Sequence, residues 1–255
     1  PNGQAQKISK ILDNKNILID LAADFRLKSA SDYLKWYKIK HNAPKLIKKS
    51  IYSLPELNNK SIKKYKIISC PGCYPTSILL PLVPLINKNI VKSNNIIIDS
   101  KSGYSGAGRN IHKKYNNKFL NETLSAYGLA FHRHNSEIDQ ELKIKTGKKV
   151  KFQFTPHLSP MFRGILTTMY LDLKRNDSLE KIYSFLKKYY KNHKFIKILK
   201  PNTFLGTYEV INTNNCHISV CESKYKNKII ILSAIDNLIK GCLLYTSPSP
   251  RDPKI

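Results

Sequence analysis

The segment Ser69-Cys70-Pro71-Gly72-Cys73-Tyr74-Pro75-Thr76-Ser77 puts a cysteine on a tight Pro-Gly corner, just ahead of an apolar run, Ile78-Leu79-Leu80. The preceding stretch, residues 65–69, reads as a strand edge. A strand, a sharp turn and a helix in that order lift a thiol into solvent and aim a helix N-terminus at it. Such an end carries roughly half a positive charge and spare N–H donors. Both favour the thiolate of a cysteine whose free pKa is about 8.5, and a thiolate is a nucleophile.

Blander uses of the same residues stay open at this point. Cys70 and Cys73 form a C-x-x-C, which suits a redox pair or half a zinc site. Zinc requires a second pair, and Cys216-x4-Cys221 is loosely spaced in an alternating, strand-like stretch. Plain burial is the commonest fate of a single cysteine.

Three further segments carry chemistry-bearing residues. Ser102-Gly103-Tyr104-Ser105-Gly106-Ala107-Gly108 is a glycine-rich loop that lets backbone N–H groups approach a phosphate or an amide. Tyr127 opens a second segment in which His132 and His134 flank Arg133, ahead of a helix that Asn135 or Ser136 could cap. The two histidines share a side if that stretch is extended, and either could transfer a proton for a cysteine nucleophile. Thr155-Pro156-His157-Leu158-Ser159-Pro160-Met161-Phe162-Arg163-Gly164 reads as a fixed loop holding a histidine and an arginine.

The elements that must position these residues come in two styles. A helical pattern at residues 4–12 leads to a buried strand at 16–21, the loop Asp24-Phe25-Arg26, a Lys-rich stretch, the strand ending at Ser69, and a helix from the cysteine turn to about Lys88. That order fits part of a doubly wound α/β domain. From residue 95 strand candidates outnumber helices: 95–100, 150–154, 164–173, 217–220 and 229–233, with one amphipathic helix after Asp177, its expected cap. This predicts an α+β domain with a mixed or largely antiparallel sheet.

The chain has 255 residues, 41% of them hydrophobic, so it can bury a core. It carries 44 Lys and Arg against 17 acids, a formal charge of +27. Such a balance fits a polyanion partner, but Lys, Ile and Asn are abundant throughout, with no basic block and no aromatic-interleaved stripe. Five irregularly spaced cysteines fit a reducing, cytoplasmic setting, and no apolar run has membrane-span length. Residues 242–255, ending Thr-Ser-Pro-Ser-Pro-Arg-Asp-Pro-Lys-Ile, read as a non-native tail similar to translated adapter sequence.

Taken in order, Pro71-Gly72-Cys73-Tyr74-Pro75-Thr76, Ser105-Gly106-Ala107-Gly108-Arg109, His132-Arg133-His134-x-x-Glu137-Ile138, Thr155-Pro156-His157-Leu158 and Asp236-Asn237-Leu238-Ile239-Lys240-Gly241 resemble the N-acetyl-γ-glutamyl-phosphate reductases, relatives of aspartate-semialdehyde dehydrogenase. The resemblance covers nearly all of residues 1–241. It implies a Rossmann-type α/β domain, incomplete because its first βα units are missing, and an α+β catalytic and dimerisation domain. The corresponding boundaries are 1–76, 77–233 and a return helix beginning at 234–241. It implies NADPH-dependent reduction of an acyl phosphate to an aldehyde, in arginine biosynthesis. Cys73 would be the acylated residue, with His134, or else His132, as acid/base. Arg26 would hold the leaving phosphate and Tyr127 would contact substrate. Gly3, Ser102, Gly103, Asn237 and Lys240 would lie against NADP(H). The expected partners are a small acyl-phosphate substrate and further copies in a dimer or tetramer, with neither nucleic acid nor membrane. No glycine-rich phosphate fingerprint precedes Cys73, so this chain is expected to bind NADPH weakly. Aspartate-semialdehyde dehydrogenase and a basic nucleic-acid-binding module are the competing readings.

Overall fold

A computed structural model describes residues 2–13, 15–58, 62–107 and 117–242. The 242–255 tail beyond its first residue, and Gly108 and Arg109 of the glycine-rich motif, lie outside the described residues. The chain divides into two units, one of residues 1–72 with 242–255 and one of residues 73–241. The break thus falls directly ahead of Cys73 rather than between 76 and 77, and residues 234–241 stay with the second unit.

In the first unit, β1 (Leu18–Asp20), β2 (Ser50–Tyr52) and β3 (Ile67–Ser69) form a parallel sheet in the order β1-β3-β2. The strands are short and β2 and β3 are buried throughout, as parallel strands covered on both faces require. Phe25, Ala43, Ile47 and Ile67 make one core cluster. The carboxylate of Asp24 is buried and accepts from Gly3 N at 2.7 Å, Gln6 Nε2 at 3.1 Å and the Tyr33 hydroxyl at 2.8 Å. The first helix covers only Gln4–Ile8, shorter than the periodicity predicts.

The second unit opens with the helix Cys73–Asn87, thirteen of whose residues, Tyr74 to Ile86, are buried. Being apolar all round, it is a core helix rather than an amphipathic one. It lies against a seven-stranded mixed sheet ordered β5-β6-β4-β7-β10-β9-β8, comprising β4 (Ile96–Gly103), β5 (Ser125–Ala126), β6 (Phe152–Ser159), β7 (Ile165–Asp172), β8 (Ile196–Ile198), β9 (Cys216–Glu222) and β10 (Lys228–Ile235). β4 and β6 run parallel; β7 is antiparallel to both β4 and β10. The Ser77 and Ser100 hydroxyls each lie 2.8 Å from that of Thr167, joining the helix to β4 and β7 in the buried layer.

Several local expectations change. β4 runs through Ser102 and Gly103, so the glycine-rich segment begins as strand and only then turns through the 3-10 stretch Tyr104–Ala107. Thr155 to Ser159 are strand too, not loop, because β4 pairs with them residue for residue. Pro156 fits there: its carbonyl accepts from Tyr127 N at 3.1 Å, while its missing N–H is an accepted cost near a sheet edge. The helix Leu179–Tyr189 is capped by Ser178, which accepts from Lys181 N, while Asp177 pairs with the Lys181 ammonium. No return helix begins at 234. β10 ends at Ile235, and the Asp236 carboxylate takes the amides of Leu238 and Ile239 at 2.8 and 2.9 Å, opening a turn into the 3-10 stretch Lys240–Cys242.

Candidate active site

Cys73 is the first residue of its helix, half-buried and in no disulfide, so its thiol sits at a helix N-terminus. Tyr74, the next residue, is buried, and its hydroxyl donates to the carbonyl of His157 at 3.2 Å. The same oxygen lies 3.1 Å from the Tyr127 hydroxyl, which therefore serves as donor toward it. Burial above all pushes the Tyr127 phenol up to a pKa of about 12; its hydrogen bond to Tyr74 opposes that rise, and the nearby Cys73 adds to it. Burial, above all, drives the Tyr74 phenol higher still, with contributions from Tyr127 and Cys73. Both phenols stay neutral at physiological pH, as donors beside the thiol.

The two histidines meet, but not along an extended strand. The helix His134–Thr146 starts at His134, and His132 occupies the turn just ahead, with ring centroids 4.8 Å apart. Its N-cap residue, Arg133, makes no side-chain cap. Asn135 and Ser136 sit inside its first turn and bond backward to Ala130 O and Arg133 O. The His132 ring is edge-on to Tyr74, Tyr127 and Phe154 at 5.4 to 5.7 Å. Its Nδ1 accepts the His134 amide at 3.2 Å, so the neutral ring carries its proton on Nε2. Burial, and then the neighbouring His134 and Arg133, lower its pKa to about 3. His132 is thus a neutral hydrogen-bond donor, whereas His134 Nε2 faces the Glu137 carboxylate at 3.7 Å. Glu137 is wholly buried, and it lies one helical turn on from His134, on the same face.

The remaining predicted residues fall into two groups. Ser102, Asn237 and Lys240 are all buried. Asn237 Oδ1 accepts from Gly164 N at 2.7 Å, and its Nδ2 donates to the Ser105 hydroxyl at 3.0 Å. Gly103 lies so close to the backbone of Phe162 that a Cβ would approach its carbonyl oxygen to 2.6 Å. Asn237 therefore clamps the turn after β4, and the Lys240 ammonium stands over the Phe195 ring at 5.7 Å. Gly3 and Arg26 belong to the first unit. Gly3 has a φ of 90° with open space beside its Cα, and its N–H is held by Asp24. Arg26 Nε donates to Cys70 O at 2.8 Å, and Cys70 itself is buried.

Three contributors escape sequence reasoning. Tyr74 and Glu137 stand inside quoted motifs but look like packing and helix residues. Gly241 earns its place by contact: a Cβ there would come within 2.5 Å of Cys73 Cβ. Only its immediate position after a Lys in the last motif could have flagged it.

Residues 73–237 match the family described as "Semialdehyde dehydrogenase, dimerisation domain". The N-acetyl-gamma-glutamyl-phosphate reductases of Desulforamulus reducens and Vesicomyosocius okutanii are 43% and 45% identical over 94% of this chain and 70% of their own length. A relative from Arabidopsis thaliana, described as a probable chloroplastic reductase of the same name, is 42% identical over 94% of this chain and 60% of its own. Among solved structures, aspartate semialdehyde dehydrogenase II from Vibrio cholerae superposes with a TM-score of 0.63 over 91% of this chain and 78% of that one, at 15% identity. The enzyme from Francisella tularensis gives 0.61 over 76% and 68%, also at 15%. These structures establish the two-domain semialdehyde dehydrogenase fold.

Proposed function

Because the chain belongs to the semialdehyde dehydrogenase family, and within it to the N-acetyl-gamma-glutamyl-phosphate reductases, we propose that it reduces N-acetylglutamyl 5-phosphate to the 5-semialdehyde and phosphate through a thioester on Cys73. It is an oxidoreductase of that class; the arginine-biosynthetic setting, the NADP(H) preference, homo-oligomerisation and a cytoplasmic location are parts of this reading. The observation that carries it is Cys73 at a helix start beside the Tyr74–Tyr127 phenol pair, with the His132 and His134 rings packed edge-on to Tyr74 at 5.5 and 5.8 Å.

The Cys73 thiolate attacks the acyl carbon. The carbon–oxygen bond to phosphate breaks, and phosphate departs with its electron pair. Helix N–H groups at residue 73 favour the thiolate before attack. A reduced nicotinamide, when bound, would supply the hydride that takes the thioester to the aldehyde level. The small-residue turn at Ser102–Gly106 fits the nicotinamide end of such a cofactor, since its backbone is held from behind by Met161, Phe162 and Asn237. His134 holds the proton for the hemithioacetal oxygen, with Glu137 orienting the ring. His134 takes that proton back as the C–S bond breaks, the aldehyde leaves and the thiolate is restored. His132, neutral, keeps an Nε2–H donor beside Tyr74 and Tyr127. Tyr127 contacts the substrate, and Arg26 suits the bidentate capture of phosphate.

The acylation half-reaction tests this without any cofactor. Incubation with N-acetylglutamyl 5-phosphate should release one equivalent of phosphate and leave a hydroxylamine-labile acyl group on the Cys73 peptide. Acylation at another residue, or none, overturns the assignment. Faster acylation by aspartyl 4-phosphate would favour the aspartate-semialdehyde dehydrogenase reading that the shared fold keeps in view.

A further inference from the structure

The acylation chemistry leaves one histidine idle. His157 stands on β6, with its ring on the sheet face turned away from the Cys73–Asn87 helix. Alternation along the strands fixes this. Ser100 of β4 meets Thr167 in the layer beneath the helix, so Asp99 and Lys101 point the other way. The β4–β6 register sets Lys101 beside His157 and Asp99 beside Thr155. On that far face three side chains converge. His157 Nδ1 lies 3.3 Å from Asp99 Oδ1, and Lys101 Nζ lies 2.5 Å from the same oxygen. The side chains are 18%, 31% and 34% exposed, yet Asp99 Oδ1 and His157 Nδ1 are themselves sealed from solvent and make no aligned hydrogen bond. Sealed atoms are screened less than surface charges, so this electrostatic contact holds more firmly than an exposed pair would.

The main chain of the same segment reaches the reaction side. His157 O accepts the Tyr74 hydroxyl at 3.2 Å, and Tyr74 follows Cys73 directly. One residue back, Pro156 O accepts Tyr127 N at 3.1 Å. The Tyr74–Tyr127 phenol pair is therefore held at both ends by residues 156 and 157. The outer edge of that stretch is thinly tied. Its edge neighbour β5 has two residues, pairing Ser125 with Leu158 and Ala126 with His157. A strand residue turns its N–H and C=O to the same side, so Pro156 has no N–H to give where its carbonyl takes Tyr127.

The inner side carries the compensation. Lys101 is followed directly by Ser102 and Gly103, which lead into the turn that Asn237 clamps. Asp99 and Lys101 thus belong to the strand bearing that turn, and His157 to the strand bearing the phenol pair. Their contact ties the two strands across the far face, beneath the site. We propose that the Asp99–His157 contact, braced by Lys101, makes His157 a positioning residue: it fixes the roll of β6 and, through the carbonyls of Pro156 and His157, the Tyr74–Tyr127 phenol pair beside Cys73.

The proposal deepens the acylation reading above, and its first measurement does not depend on that reading. Hydrogen exchange at the Tyr127 amide should quicken about fivefold in Asp99→Asn, which removes the charge at unchanged size. Single-turnover phosphate release should slow about fivefold with the half-saturating substrate concentration unchanged, since all three side chains stand on the far face of the sheet. Asp99→Glu, which keeps the charge, should recover the rate to within about twofold. His157→Leu breaks the same contact from the other strand and should repeat both effects; circular dichroism decides which variant is folded and read. Tyr74→Phe removes the hydroxyl held by His157 O, and in that background Asp99→Asn should cost less than about twofold. An additive loss there, no recovery by Asp99→Glu, or a raised half-saturating concentration at unchanged maximal rate overturns the positioning role. An unchanged Tyr127 amide overturns the control of β6. Failure of the unaltered chain to release phosphate strikes the acylation reading instead and leaves the Tyr127 amide to decide this one.

Discussion

Gly241 and Cys73, 168 positions apart in the sequence, touch: a methyl group at position 241 would stand 2.5 Å from the Cys73 Cβ and 3.0 Å from its Cα. The Gly241 amide is itself fixed by Asp236 O at 2.9 Å. The nucleophile is therefore packed by the last turn of its own unit, and that turn has no room to retreat. Gly241→Ala should slow acylation of Cys73 at least a hundredfold, about 2.7 kcal/mol or more, while the far end of the unit stays folded. Alkylation of Cys73 by iodoacetamide, followed by mass spectrometry, reads the displacement directly. Unchanged alkylation would mean that the close approach does not constrain the thiol.

Cys73→Ser should abolish acyl transfer, whereas Cys70→Ser should leave it within about threefold, under 1 kcal/mol. Cys70 is buried, and its carbonyl receives Arg26. Phosphate release by the two variants separates a lone nucleophile from a C-x-x-C redox pair. Comparable losses would restore the pair.

Asn237→Ala should slow chemistry mainly through the turn it clamps. It strips partners from Gly164 N and Ser105 Oγ, and an unpaired buried N–H costs about 1–3 kcal/mol. Urea denaturation should register that loss with cofactor absent. A variant with native stability but weakened nucleotide binding would instead make Asn237 a direct cofactor contact.

His132 imposes a pH dependence on stability. Its folded pKa is depressed from 6.5 to about 3, so on acidification the unfolded chain takes up the proton first. Stability is then full above about 6.5 and declines as the pH falls toward 3. His132→Asn keeps an acceptor for the His134 amide and cannot titrate. It should remove on the order of 2 kcal/mol of the stability difference between pH 7 and pH 4, at 1.36 kcal/mol per pKa unit discounted for partial exposure. Parallel unfolding curves for the two proteins across that range would refute the burial.

His134 and Glu137 should fail together. Glu137→Gln removes the carboxylate facing Nε2 at 3.7 Å and should slow turnover about tenfold, about 1.4 kcal/mol, with little further loss when His134 is also replaced. A double-mutant cycle on kcat checks the coupling; additive losses would make the glutamate purely structural.

The cysteine turn, the strand before it and the helix after it were legible because Pro71 and Gly72 punctuate a sharp change from strand to helix pattern. The mixed sheet was legible from β-branched runs at 96–98 and 229–231. What failed was local grammar under tertiary override. Pro156 and Gly103 look like loop residues, yet both are strand, because β4 and β6 align as one ladder from Ile96 to Gly103. Asp177 looks like a cap, but Ser178 has the extended backbone a cap needs.

The sequence by itself determined that a cysteine stands at a helix start, since turn chemistry and hydrophobic period are local properties of a few residues. It also determined which residue types accompany it. Only the tertiary structure decided their division of labour. His132 and His134 have the same side chain two positions apart. One is buried among three aromatic rings and held neutral; the other faces a buried carboxylate. Desolvation and charge depend on what long-range packing brings alongside, and no spacing in the chain records that Gly241 closes over Cys73.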